Sequence, residues 1–198
     1  MNNKFLTAKN VAILGVLIAI VIVMQLFASA IPMLGVTLNL SLIPIAIAGI
    51  LLGALGGTIV GFVCGLVVFI TAAVMGQEPS TAFLFSASPV ILTLMCIGKT
   101  TIAGFISGLI NKPLSKKNIH LAAIACSVII PIVNTGIYML GMVLMKGSVA
   151  KFLGLASGSA GVVFTVVFGM IWLNFLLEIA VTVIFSPIIY RVIKALKI

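Results

Sequence analysis

Lys99 and Glu178 each stand within a long apolar run, where an ionisable side chain is costly and therefore points to function. Lys99 lies thirteen residues before Lys112, and Glu178 lies thirteen residues before Arg191, so each is equally far from a basic residue that can anchor a helix end. At ~1.5 Å per helical residue, this separation is about 20 Å. We therefore predict that Lys99 and Glu178 share one layer near the middle of a membrane.

Four more side chains are predicted to lie at or beside this layer. Asn174 is one helical turn from Glu178 on the same face, and Asn134 reaches a similar depth in the preceding apolar run. Tyr138 and Trp172 flank the layer on its outer side, where their rings could stack on a planar ligand. A lysine that attracts an anionic group, together with amides and a carboxylate, suits the binding of a small polar molecule.

Two interpretations of the layer stay open at this point. In the first, Lys99 and Glu178 form an ion pair and the two asparagines bond across helices. In the second, the layer is the floor of a pocket open to the outside, and Lys99 receives an anionic group of a ligand. The two interpretations are compatible, because a ligand carboxylate can compete with Glu178 for the lysine.

The elements that position these residues must be membrane helices. Of the 198 residues, 63% are hydrophobic and only 7% are charged, and the mean hydropathy is +1.46. A soluble domain carries about a quarter charged residues, so this chain cannot cover a soluble surface. The net charge of +9 does not indicate nucleic-acid binding, because the basic residues stand at the ends of apolar segments.

Breaks in the apolar pattern predict six membrane-spanning helices, at residues 8–30, 43–55, 58–75, 89–110, 119–145 and 159–193. The predicted fold class is therefore all-α, as a single integral membrane domain. With a cytoplasmic N-terminus, six crossings place eight of the eleven basic residues on the cytoplasmic side and only Lys146 and Lys151 outside. An odd number of crossings separates the basic clusters at 112–117 and 191–197, so we predict that both termini are cytoplasmic.

Small residues predict where the helices pack. Gly53, Gly57, Gly61 and Gly65 recur every fourth residue, which aligns them along one groove that a neighbouring backbone can approach. We interpret this ridge as packing within the chain, with the turn between the second and third spans at Gly56–Gly57. The main connections are predicted to be loops, at residues 31–42, 76–88, 111–118 and 146–158.

The sequence does not favour an enzyme. It contains no Asp and only one His, His120, and its three cysteines lack metal-ligand spacing. The Gly98-Lys99-Thr100 segment lacks the earlier glycine of a phosphate-binding loop and lies in a membrane helix. We predict no catalytic residue, no metal site and no cofactor.

With these features together, the chain resembles the substrate-binding S components of energy-coupling factor (ECF) transporters, which import vitamins in prokaryotes. The resemblance rests on the size, the six-helix layout and several short segments: Ala8-x-x-x-Ala12, residues 43–53 followed by Gly57 and Gly61, residues 131–136, and residues 174–178.

The resemblance implies a division of labour between subunits. The S component binds a vitamin tightly from outside the cell, and a separate transmembrane T subunit couples it to two cytoplasmic ATPases. Small residues of the first helix meet the T subunit, a role that falls on Ala8 and Ala12 here. The outer loop 31–42, whose polar residues alternate as in an extended segment, becomes the lid of the pocket, with Thr37 and Asn39 as ligand contacts.

The lysine in the layer favours a substrate with a carboxylate or a phosphate. Pantothenate fits this description, and riboflavin is a further candidate. Two alternatives to the S component remain open from the sequence. One is a self-sufficient small-solute transporter or channel, and the other is a structural subunit of a larger membrane complex that binds no small molecule.

Overall fold

A computed structural model describes residues 7–29, 39–155 and 160–196, and every regular element in this part of the chain is helical. The all-α fold class is therefore confirmed for these residues. The elements are α1 (Ala8–Ser29), α2 (Leu42–Val68) with a π-helical continuation (Phe69–Val74), α3 (Pro79–Ala87), α4 (Pro89–Lys117), α5 (Ile119–Leu144), α6 (Lys146–Phe152), α7 (Ala160–Ile184) and α8 (Ser186–Leu196).

Several of these helices have the length and hydropathy of a membrane span. Within the described ranges four helices qualify: α1, α2 with its π-helical continuation, α4 and α5. A fifth span is obtained if α7 and α8, which are bent by 43° at a short break, are counted together. The chain is thus a multi-pass membrane protein.

The chain reverses direction inside α2, at Gly53. Gly53 has φ 73° and ψ −164°, a conformation that only glycine adopts readily. A Cβ placed on Gly57 lies 3.2 Å from the Cα of Gly49, whereas residues eight apart on a straight helix are separated by about 12 Å. α2 therefore consists of a first arm (42–52) and a second arm (54–68) that fold back on each other.

The predicted turn at Gly56–Gly57 was therefore wrong by a few residues. Both of these glycines lie within the helical second arm, and only Gly53 takes the positive φ that breaks the helix. The first arm has eleven residues, so it is only ~16 Å long, about half the ~30 Å hydrocarbon core of a bilayer.

The glycine ridge packs the second arm of α2 against α4. A Cβ on Gly57 would overlap the carbonyl of Gly104, and a Cβ on Gly61 would overlap the carbonyl of Thr100. The Thr100 hydroxyl also donates a 2.7 Å hydrogen bond to the Gly61 carbonyl. Such close backbone contact is possible only between small residues. The prediction that the ridge serves packing within the chain is confirmed.

The first arm of α2 is buried along its length and is fixed at both ends. At its C-terminal end the Asn111 side chain of α4 donates a 2.9 Å hydrogen bond to the carbonyl of Ile50, one of the groups that a helix end leaves unpaired. At its N-terminal end the Ser41 hydroxyl donates a 3.1 Å hydrogen bond to Gln25 Oε1 of α1. Buried side chains thus join this arm to two neighbouring helices.

Three predicted loops contain helical structure. Residues 76–88 include α3, which begins at Pro79, because proline suits the first turn of a helix. Residues 111–118 are helical as far as Lys117, and the Asn118 side chain then caps α5 by accepting a 2.8 Å hydrogen bond from the His120 N–H. Residues 146–158 include α6, and the predicted sixth span at 159–193 is divided into α7 and α8.

Buried apolar side chains form two clusters. The first cluster joins α1, α2, α4, α5 and α8 and includes Val21, Ile45, Ala103, Ile130 and Ile189. The second cluster joins α3 to α7 and includes Leu84, Met95, Met142, Val149 and Ile171. The two clusters succeed each other along α4 and α5.

Candidate ligand-binding site

The predicted polar residues lie between the two apolar clusters. On α4, Lys99 stands between Cys96 of the second cluster and Ala103 of the first. On α5, the interval between the clusters holds Asn134 and its neighbour Thr135. These side chains, with two more from α7, make up what we call the polar layer: Lys99, Asn134, Thr135, Asn174 and Glu178.

Glu178 is the centre of the hydrogen bonds in this layer. It is only 4% exposed, and its carboxylate accepts hydrogen bonds from Thr135 Oγ1 at 3.4 Å and from Asn174 Nδ2 at 3.3 Å. The main chain of Asn39 also hydrogen-bonds this carboxylate. The structure thus brings together three of the predicted residues, from α7 and from the segment that precedes α2.

Lys99 is near Glu178 but does not form an ion pair with it. Its ammonium lies 4.9 Å from the centroid of the Tyr138 ring, within the range of a cation–π interaction. Lys99 interacts with Glu178 electrostatically, yet no salt bridge within 4.0 Å joins them in the described part of the chain. The direct Lys99–Glu178 ion pair of the first interpretation is therefore not formed in this structure.

Asn134 has an unused hydrogen-bonding group. Its side chain is 4% exposed, and its Oδ1 has no partner among the described residues. A buried polar atom normally has a partner, so an unpaired one marks a place where a ligand or a water molecule can bond.

Trp172 is placed differently from Tyr138. It is 45% exposed and belongs to a row of rings on α7, with its centroid 5.3 Å from Phe168 and 5.6 Å from Phe175. Tyr138 instead packs against the second cluster and faces Lys99. The two rings are thus not brought together as a pair on one ligand face.

An apolar groove of about 120 Å³ lies between α5 and α7, next to the polar layer. Trp172 and Phe175 line it from α7, while Gly136 and Met139 line it from α5. Thr135 belongs to both places, because it lines the groove and also donates to Glu178. The polar layer therefore adjoins a space that accepts apolar atoms.

The remaining predicted residues lie away from the layer or outside the described ranges. Thr37 belongs to residues 30–38, which lie outside the described ranges. Ala8 and Ala12 are exposed at the start of α1, and no atom lies within 4 Å of a Cβ built on Gly15, one turn further on. This face of α1 is free of contacts from the described part of the chain at that point.

Sequence reasoning missed Thr135 and the pair formed by Gln25 and Ser41. Thr135 is the residue after Asn134, and two adjacent polar residues in an apolar helix were a usable signal. Gln25 is a lone polar residue near the end of the first apolar run, and nothing in the sequence specified its partner. No group of His, Cys, Asp and Glu in the described part of the chain could hold a metal ion.

Comparison with known proteins identifies a family and a relative of this chain. The family model for the ECF transporter substrate-specific component matches residues 9–190. The pantothenic acid transporter PanT of Lactococcus lactis subsp. cremoris is 40% identical over 93 residues. That match covers 43% of this chain and 45% of the relative, so the chain matches less than half of the relative's length. No solved structure matches the chain.

Proposed function

Because this chain belongs to the family of ECF transporter substrate-specific components, we propose that it binds a vitamin or vitamin precursor from outside the cell and delivers it to an ATP-driven import complex. The family is one of membrane transporters and not of enzymes. The observation that carries the binding proposal is the polar layer between the two apolar clusters. Among the described residues, its lysine has no carboxylate partner and one asparagine oxygen is unpaired.

The proposed substrate is pantothenate. This molecule has a carboxylate at one end, two hydroxyls and an amide along its length, and a branched apolar centre. We assign the carboxylate to Lys99, and the hydroxyl and amide groups to Asn134, Asn174 and Glu178. The partial similarity to a pantothenic acid transporter supports this choice. Asn39 and Thr37 are proposed to close the site from the connection between α1 and α2, with Tyr138 and Trp172 at its edge.

The proposed topology has six passages and both termini in the cytoplasm. The reversal at Gly53 supports it, because it makes the two arms of α2 opposite passages, the first of them about half the bilayer thickness. Impermeant thiol labelling of single-cysteine variants should then modify position 151 from outside and position 117 only from inside. Labelling of both positions from the same side would contradict this topology.

The proposed partners are a transmembrane T subunit and two cytoplasmic ATPases. Ala8 and Ala12 are proposed to meet the T subunit, because their exposed face at the start of α1 permits close approach of another helix.

Three measurements test the proposed function. Isothermal titration of the purified chain with pantothenate should show tight binding, and mass spectrometry of a solvent extract should detect the co-purified vitamin. Proteoliposomes should accumulate the vitamin only when the T subunit, the ATPases and ATP are present. Uptake by the chain alone would instead indicate a self-sufficient transporter, and absence of small-molecule binding would favour a structural subunit.

A further inference from the structure

One end of the helical bundle carries an exposed basic surface formed by two separate segments. The last turns of α4 contribute Lys112, Lys116 and Lys117, and α8 contributes Arg191 and Lys194. All five side chains are exposed. We refer to these five residues as the basic surface.

An aromatic contact brings the two segments together. The rings of His120, at the start of α5, and Tyr190, on α8, are stacked with their centroids 3.5 Å apart. Lys117 lies three residues before His120, and Arg191 directly follows Tyr190. The basic residues of α4 and α8 are thus neighbours on one surface, although they are more than seventy residues apart in the sequence.

The packing of α8 directs its charges outward. Ile189 and Ile193 are fully buried in the first cluster, so the opposite face of the helix carries Arg191 and Lys194. The axes of α7 and α8 are bent by 43° relative to each other, so the chain changes direction where α7 ends. An amphipathic helix held in this way presents cations at the level where the membrane helices end.

No acidic side chain among the described residues neutralises this surface. The chain has only two acidic residues. Glu178 is buried in the polar layer, and Glu78 precedes α3, where its carboxylate accepts a 2.9 Å hydrogen bond from Thr81. The basic surface is therefore available to anions from outside the chain.

The residues beside the basic surface indicate the nature of these anions. Leu121 on α5 and Ile184 and Ile188 around the α7–α8 break are large apolar side chains that are exposed. Cations next to exposed apolar side chains match a phospholipid, whose phosphate adjoins its acyl chains, better than an acidic soluble protein. Inorganic phosphate offers the same charge but has no apolar part.

We propose that the basic surface is a binding site for an anionic phospholipid, with Lys117 and Arg191 at the phosphate and the apolar residues beside its acyl chains. The other three lysines add attraction to the surrounding anionic head groups. Near an anionic bilayer surface, each basic residue strengthens binding by about fivefold. This inference concerns a part of the molecule away from the polar layer and does not depend on the identity of the vitamin.

The test measures retention of phosphatidylglycerol by the purified full-length chain. The chain is reconstituted in vesicles of phosphatidylcholine with a minor fraction of labelled phosphatidylglycerol, extracted in mild detergent, and analysed by native mass spectrometry. We expect the wild-type chain to retain phosphatidylglycerol and the variant Lys117→Gln/Arg191→Gln to lose at least about tenfold in apparent affinity. The matched control is Lys146→Gln/Lys151→Gln, which removes two exposed lysines of α6 and should change retention less than twofold.

Three outcomes would overturn the proposal. Equal loss of phosphatidylglycerol retention in both double variants would show a general effect of net charge and no specific binding site. Competition by inorganic phosphate at the same concentration as the lipid would show a free-phosphate site. Unchanged lipid retention in Lys117→Gln/Arg191→Gln, with loss of co-purification of the ATPase subunits, would show that the surface meets an acidic protein partner. Because all four substituted side chains are exposed, the variants are expected to fold.

Discussion

The single residues that matter most here are polar groups whose bonds are incomplete. Lys99 has an aromatic ring as its neighbour instead of a carboxylate, while Glu178 takes its hydrogen bonds from uncharged donors. Asn134 has one oxygen without a partner among the described residues. In a low-dielectric interior such groups gain more from a complementary ligand than they would in water. These residues are therefore the places where substitution should separate ligand binding from folding.

Replacement of Lys99 by methionine should weaken pantothenate binding by about 10- to 100-fold, because a hydrogen bond to a charged group contributes about 1.5–3 kcal/mol. Methionine keeps a similar length and suits the surrounding apolar clusters, so the melting temperature should not fall. Isothermal titration gives the affinity, and Lys151→Met, an exposed lysine of α6, is the control. Wild-type affinity in Lys99→Met would remove this lysine from the proposed site.

Asn174→Leu should also weaken pantothenate binding while leaving a folded monomer. The substitution removes the 3.3 Å hydrogen bond to Glu178 and any bond from the amide to the ligand. Leucine has a similar volume, and Asn174 is only partly buried, so overpacking should be small. Size-exclusion chromatography checks the monomer, and a folded variant with unchanged affinity would contradict the assignment of Asn174.

Counting along the sequence predicted the depth of these residues but not their partners. Equal spacing from Lys112 and Arg191 predicts that Lys99 and Glu178 share one level in the membrane, and this stays a prediction. Whether they pair depends on the rotation of α4 and α7 about their axes and on side-chain rotamers. Near-uniform hydrophobicity around a membrane helix leaves these quantities unspecified.

At the scale of elements, the first arm of α2 is the least expected part of the fold. It is a buried half-span, fixed by Asn111 at one end and by the Ser41–Gln25 hydrogen bond at the other. The sequence indicated a short second span, but it offered several glycines as candidates for the turn. Which glycine takes a positive φ depends on how both arms pack against α4, and this is a tertiary property.

Alanine substitutions should distinguish the two roles of glycine in α2, which are the positive φ at Gly53 and the close backbone contact at Gly57. Gly53→Ala should lower the free energy of unfolding by about 1–3 kcal/mol, because its positive φ strains any other residue although no atom lies within 4 Å of the added Cβ. Gly57→Ala should be more harmful, since its Cβ would overlap the Gly104 backbone and force α2 and α4 apart. Thermal unfolding in detergent measures both.

Gly15→Ala is the matched control for these two variants. Gly15 is helical and exposed, and a Cβ there meets no atom within 4 Å. Alanine should be neutral or stabilise α1 by up to about 1 kcal/mol, in line with its higher helix propensity. If Gly53→Ala behaved like Gly15→Ala, the reversal at Gly53 would not depend on glycine.

At the scale of the whole molecule, composition alone established a multi-pass membrane protein, and the family comparison agrees with the resemblance found in short segments. The number of passages was harder to predict. The first arm of α2, predicted as a passage, is only about half as long as a full span. α7 and α8 form one apolar run in the sequence although they are bent by 43°. Hydropathy reports where lipid can surround a segment, and it carries little information on bends.

The proposed docking to a T subunit is a property of the whole molecule and should be separable from ligand binding. Ala12→Trp should stop vitamin uptake by the reconstituted complex while leaving the affinity of the purified chain within about twofold, because a large ring blocks close helix approach at an exposed face remote from the polar layer. Ala8→Trp should behave in the same way.

Val90→Trp is the control for docking, since Val90 is a highly exposed apolar residue on α4. It should leave both uptake and affinity unchanged. If Ala12→Trp abolished uptake and binding together, the small residues of α1 would serve folding rather than assembly.

The contact between α2 and α4 has a mechanical consequence. Where Gly57 meets Gly104 and Gly61 meets Thr100, main chain touches main chain, and no flexible side chains are present to rearrange as one helix slides past the other. The second arm of α2 should therefore move together with α4 as one rigid unit. We expect a motion that admits a ligand to occur instead between α5 and α7, whose contacts are made by side chains such as Thr135, Glu178 and the rings around the groove.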